Sequence, residues 1–240
     1  MTGYGKKTRK SYERAKHRVR PPPSRMRRFN SKDTLRGVTP GPPCSYGRGS
    51  SKINVKPPNA YVPYYSPEFR DVVRYIQSKL GKKVYLIGIR AMFERGIPVW
   101  RFTDDFDIYT PLIIEERDNV IAFVRKNYEN AKHVWSRFGF GLDFDPIGHI
   151  DVNIVPPTIY DDSWDKEAIE INGVEVFLPP LEDILVLKLI SPRRKDAKDV
   201  GVALRLGRDK INLERLKEKA EKAGVKRKLL KISKRYGVEL

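Results

Sequence analysis

The sequence predicts an α/β fold: a small mixed sheet flanked by helices, with a helical C-terminal extension and a disordered basic N-terminal arm. Three observations carry this. Between residues 66 and 206, helical stripes of apolar residues are interleaved with short β-rich runs, two of which alternate acidic and apolar side chains. Before residue 59 there are few large aliphatic residues, and Pro and Gly recur as Pro21-Pro22-Pro23 and Gly41-Pro42-Pro43. After residue 208 the pattern is purely amphipathic and helical. The expected divisions are therefore an arm over 1–58, an α/β domain over 59–208 and a basic helical extension over 209–240.

Charge follows the same divisions. Of the net +18, residues 1–58 hold +14 and 209–240 hold +6, leaving 59–208 at −2. A near-neutral body with two basic ends attracts polyanions, which leaves nucleic acid or an anionic membrane as partners. No run approaches the roughly 20 apolar residues of a spanning helix, and the arm lacks an apolar face, so nucleic acid is favoured over a membrane. The basic N-terminus is not followed by an apolar segment and does not read as a signal peptide. The single cysteine, Cys44, cannot close an internal disulfide, which fits a cytoplasmic location.

The arm cannot bury enough apolar surface to offset the ordering of its backbone. Arg9, Arg14, Arg18, Arg20, Arg25, Arg27 and Arg28 are interleaved there with Tyr4, Tyr12, Phe29 and Tyr46. Guanidinium forks bind phosphates and aromatic rings stack on unpaired bases, so these arginines are the expected RNA contacts.

Ser66 and Pro67 open a helix over about 67–80 that Gly81 closes, with Phe69, Val72, Val73, Ile76 and Leu80 as its stripe. Lys83 to Gly88 reads as a buried strand, Ile89 to Glu94 as a short helix and Asp105 to Tyr109 as a strand with one polar face. Val120 to Val124 is helical, and His133 to Ser136 reads as a strand. From Ile147 to Val155, His149, Asp151 and Asn153 share one face of a strand and Ile150, Val152 and Ile154 the other. Asn172-Gly173 marks a tight hairpin over 169–177. Helices follow over 181–191 and 196–206, then two more broken at Gly224.

Asp105 and Asp107, two apart on a strand, project side by side and repel unless a cation joins them. Asp151 lies on a later strand and is the natural third carboxylate. Oxygen donors of this kind suit hard divalent ions such as magnesium. Asp143-Phe144-Asp145 has the same spacing without a preceding glycine turn and reads as a strand edge or loop. Lys195, Asp196 and Asp199 read as a salt-bridged helix start. Upstream, the Gly88 turn opens a helix whose free N–H groups suit phosphate.

This order of elements resembles the nucleotidyltransferase superfamily, whose fold is shared with DNA polymerase β. The segments Leu86-Ile87-Gly88-Ile89-Arg90-Ala91-Met92 and Arg101-Phe102-Thr103-Asp104-Asp105-Phe106-Asp107 look most like the branch containing abortive-infection-type nucleotidyltransferase toxins. Lys188 in a leucine-rich helix and Lys195-Asp196 with Asp199 extend the resemblance, which spans roughly 66–206. It implies that Asp105, Asp107 and Asp151 hold two magnesium ions and that Gly88, Arg90 and Lys188 steady a nucleoside triphosphate. A nucleoside monophosphate would pass to an acceptor hydroxyl, with transfer RNA or ribosomal RNA as the expected acceptor. The sequence departs from the superfamily after the glycine, where Gly or Ser is usual and Ile89 stands. A non-catalytic, ribosome-associated RNA-binding protein on the same fold is the alternative.

Overall fold

The computed structural model describes residues 66–101, 103–144 and 148–240. The arm, with Arg9, Arg14, Arg18, Arg20, Arg25, Arg27, Arg28 and Cys44, lies outside the described residues, as do Phe102 and Asp145.

Strands β1 (Tyr85–Ile87), β2 (Phe106–Tyr109), β3 (Lys132–Trp135), β4 (Gly139–Phe144), β5 (Gly148–Asn153), β6 (Ala168–Ile171) and β7 (Val174–Phe177) form one sheet. Helices are α1 (Pro67–Leu80), α2 (Gly88–Glu94), α3 (Ile114–Asn127), α4 (Leu181–Ile190), α5 (Arg194–Leu206), α6 (Leu213–Lys222) and α7 (Lys226–Arg235). The sheet order is β3-β4-β5-β2-β1-β7-β6, with β2–β5 and β1–β7 parallel and the other pairs antiparallel. The expected mixed sheet flanked by helices is present, and it is larger than expected, with seven strands among the described residues.

Local chemistry explains the boundaries. The Ser66 hydroxyl accepts from the N–H of Phe69 (3.0 Å), Pro67 begins α1, and Gly81 ends it at φ 64°. Asn172 and Gly173, at φ 54° and 75°, turn β6 into β7 as the Asn-Gly pair predicts. Asp143, expected at a strand edge or in a loop, is paired within β4 opposite His149.

One face of the β2–β5 region carries Phe106, Ile108, Ile150 and Val152, all buried, and Phe69 of α1 stacks on Phe106 with ring centroids 3.9 Å apart. Because side chains alternate along a strand, Asp107 and Asp151 are forced onto the opposite face. Helix α2 packs on β2 and on α4, and α4 in turn packs on α5 and α6. The C-terminal extension is anchored by buried charge. Lys219 of α6 donates to the Ile159 carbonyl (2.9 Å) and pairs with the fully buried Asp183 of α4 (3.3 Å), which also accepts from Trp164 (2.7 Å).

Candidate active site

The site is built where β2 and β5 run parallel. Asp107 and Asp151 are register partners on these adjacent strands, so their carboxylates rise from the same face of strands about 4.8 Å apart. Asp105 precedes β2 by one residue, and its backbone N–H donates to the Thr103 hydroxyl (3.3 Å). Burial pushes the Asp107 carboxyl up to about 6, and the negative charge of Asp151 adds to that rise. Lys188 and Arg193 act in the opposite sense, while Asp105 adds a smaller repulsion.

Gly88 is what lets Asp107 stand there. Its φ is 75°, and a β-carbon at this position would lie 2.0 Å from Oδ2 of Asp107. The residue that turns β1 into α2 must therefore lack a side chain for two reasons, the left-handed backbone and the carboxylate against its α-carbon. Ile89, which follows, is 3% exposed and packs in the hydrophobic core. Its side chain thus serves packing.

His149 sits beside Asp151. Its Nε2 is 3.0 Å from Oδ1 of Asp151 and its Nδ1 contacts Asp143 of β4. With a carboxylate at each ring nitrogen the imidazole donates twice. The hydrogen bond to Asp151 is the main reason that its pKa is raised to about 9, with Asp143 adding to it. A cation already compensates Asp151, whereas Asp107 has only more distant help.

The remaining expected residues divide. Arg90 is not brought to the carboxylates: it is 2% exposed, with its guanidinium 4.3 Å over the ring of Phe106, whose side chain points to the other face of the sheet. Two residues of helix after Gly88 decide this. A hundred degrees of rotation per residue carries position 90 round from the turn into the packed side of α2. Lys188 lies near the site but its ammonium is engaged, 2.7 Å from Asp199 and 3.2 Å from Asp196, both buried. Asp199 also accepts from Trp100 (2.6 Å) and Arg101 (3.1 Å), and Asp196 from Ser191 (2.6 Å) and Arg193 (2.6 Å). The salt-bridged start of α5 thus centres on Lys188, and Lys195 is exposed.

Arg193 is the residue that sequence reasoning missed. It precedes α5, is largely exposed, and lies within electrostatic reach of both Asp107 and Asp151. Its only trace in the sequence is its place in Arg193-Arg194-Lys195, a run that the neighbouring Asp196 made look like a solvated helix start.

As donors, Asp107 and Asp151 have the hard oxygen chemistry that a divalent cation takes, and the repulsion raising the Asp107 carboxyl is what such a cation would relieve. The closed set of three carboxylates expected from the sequence is not formed. Among the described residues no group of three or more His, Cys, Asp or Glu side chains is arranged to hold a metal ion. Also among the described residues, no helix is long and apolar enough to cross a membrane.

No family model and no curated protein matches the chain. Among solved structures it is similar to the antibiotic-resistance factor ANT(2'')-Ia in solution, at 15% identity and a TM-score of 0.42 over 66% of this chain and 93% of that one. It is similar to ANT(2'')-Ia in complex with adenylyl-2''-tobramycin, at 15% identity and a TM-score of 0.41 over 70% and 97%. It is also similar to an antigenic nucleotidyltransferase-like protein from Paracoccidioides brasiliensis, at 20% identity and a TM-score of 0.41 over 75% and 96%.

Proposed function

We propose that this chain transfers a nucleoside monophosphate from a nucleoside triphosphate to a hydroxyl of RNA. The observation that carries the proposal is the pairing of Asp107 with Asp151 in parallel register against a glycine that has no room for a β-carbon. A desolvated carboxylate, Asp107, beside a second one, Asp151, costs stability without a cation, and that cost argues for one. Magnesium, held by Asp107 and Asp151, would supply Lewis-acid stabilisation of charge on the phosphate. Within the chain, Gly88 keeps the floor of the site open, His149 holds Asp151 in a fixed orientation, and Arg193 offers a guanidinium to a phosphate oxygen. Lys188 acts through Asp196 and Asp199 as a positioning residue. We assign RNA contacts to the basic arm over 1–58, catalysis to 59–208 and acceptor binding to 209–240.

The test is incubation with each labelled nucleoside triphosphate, magnesium and total RNA. Label is expected in RNA with the native chain and absent with Asp107→Asn. No transfer from any nucleotide would refute the enzyme. That outcome would favour the second reading, a non-catalytic RNA-binding protein associated with the ribosome. Two features speak for this alternative: Arg90 is buried over Phe106, and Lys188 is occupied by Asp196 and Asp199.

A further inference from the structure

The C-terminal helix α7 reads Lys226-Arg227-Lys228-Leu229-Leu230-Lys231-Ile232-Ser233-Lys234-Arg235 and has no acidic residue. It is fixed to the body. Leu229, Ile232 and Ser233 are buried, and the ring of Tyr236 lies against Gly201 of α5, where a β-carbon would come within 2.2 Å of it. That docking turns Lys226, Arg227, Lys231, Lys234 and Arg235 to solvent. Arg227, Lys231 and Lys234 recur about once per turn on that face. Of the five, Lys226 pairs with Glu221 (3.1 Å).

One lysine of α7 faces inward instead. Lys228 donates to the carbonyls of Leu189 (2.6 Å) and Ser191 at the end of α4. Ser191 opens the connection Ser191-Pro192-Arg193 into α5, and its hydroxyl accepts from the backbone N–H of Arg193 (3.3 Å). Arg193, Arg194 and Lys195 are exposed, and Arg193 joins Lys188 in acting electrostatically on Asp107. The basic face of α7 and the basic α4–α5 connection are thus pinned together, and Arg193 at the end of the connection donates to Asp196 (2.6 Å), to which Lys188 of α4 also donates (3.2 Å).

From this geometry we infer that α7 and residues 193–195 form one lane that holds the sugar–phosphate backbone of the acceptor RNA and delivers its end to Asp107 and Asp151. This deepens the proposed transfer and rests on it for the direction of the strand. The occupant follows from the surface. Leu230 is the one large apolar residue of α7 exposed on this face, so a membrane has little to bind and a protein partner lacks an apolar anchor. Lysines and arginines spaced along a helix, with a single exposed apolar neighbour, suit a repeating phosphate. The arm over 1–58 is itself basic and is no candidate occupant.

The test uses the full chain and a 20-nucleotide single-stranded RNA, with DNA of the same sequence as a second arm. Binding is read by fluorescence anisotropy between 50 and 300 mM salt. The triple variant Arg227→Glu/Lys231→Glu/Lys234→Glu, all at exposed positions, is expected to weaken RNA binding at least about tenfold. It should also reduce the slope of log affinity against log salt by about two. Circular dichroism checks that α7 still forms, and the milder triple glutamine variant should show the same trend. A 4-thiouridine at the RNA end is expected to cross-link within 191–195, and one placed further back within 226–235. Unchanged affinity and slope overturns the lane, as does the opposite order of cross-links or tighter binding of DNA. Transfer is assayed in parallel. If it is absent while the triple variant still loses RNA binding, the enzyme reading fails and the RNA surface stands; if it persists on RNA with unaltered affinity in the variant, the lane fails and the enzyme stands.

Discussion

Two groups of carboxylates lie close together in this protein and are treated in opposite ways. Asp196 and Asp199 at the start of α5 are 0% and 1% exposed. They are met by Lys188, Arg101 and Arg193, by the indole of Trp100 and by the Ser191 hydroxyl. Asp107 on β2 is desolvated beside a second carboxylate, and its carboxyl rises to about 6 for that reason. The first group ties α4 and α5 together. The second spends stability to keep a negatively charged face ready, which is the expected signature of a binding site rather than a structural one.

Asp107→Asn should separate the two groups most sharply. If Asp107 holds the cation, transfer to RNA is expected to fall by roughly 10³-fold or more, several kcal/mol of barrier. Chemical denaturation should show the fold as stable as before or more so, because a desolvated charge has been removed. A clear loss of stability would place Asp107 with the structural carboxylates.

Asp199→Ala is the converse. It removes the nearer of the two carboxylates that neutralise the buried Lys188, together with the acceptor of Trp100 and Arg101, so unfolding free energy should drop by about 3–5 kcal/mol. Denaturation in urea, with the slope unchanged, checks this. A stability loss as small as that of a surface substitution would refute the structural role.

The pH dependence of stability offers a third contrast. Asp107 holds its proton more tightly when folded, so between the ordinary carboxylate range and about 6 the native state binds more protons than the unfolded state. Stability from this residue is therefore greatest at low pH and declines as pH rises to about 6, by on the order of 2–3 kcal/mol. His149 has the second window, since its folded pKa is also raised. Its contribution is full below about 6.5 and disappears as pH rises through about 9. Comparing pH profiles for the native chain, Asp107→Asn and His149→Gln assigns each decline. A native-like lower decline in Asp107→Asn would contradict the first assignment.

Gly88→Ala should cost less stability than Asp199→Ala. The left-handed backbone costs about 1–2 kcal/mol, and the new methyl must displace the Asp107 carboxylate. Transfer should therefore fall by more than that cost alone predicts, read as kcat at saturating nucleotide. Unaltered kcat would mean that Asp107 need not stand where it does.

Much of the site was legible because strands have a period of two. Asp107 and Asp151 each alternate with buried residues, so each had to face away from the core, and Gly88 announced the turn beneath them. Arg90 was misjudged because a helix turns its residues rapidly, and only the packing of α2 on β2 shows that Arg90 goes to Phe106. Lys188 was misjudged because a lysine in a leucine-rich helix gives no sign of its partners, which lie eight and eleven residues further on. Arg193 was missed because charge on a connection has no periodicity to read.

Local backbone rules and hydrophobic periodicity therefore let the sequence alone determine the α/β class, nearly every element between 66 and 240, and which face of β2 and β5 is polar. Tertiary structure alone decided that β2 and β5 are parallel neighbours in a register that opposes Asp107 to Asp151, and that His149 rather than Arg90 reaches the carboxylates. It alone decided that α7 docks where its cations join the connection beside them. Strand order and helix docking depend on contacts between residues distant in the chain, and no local pattern encodes those.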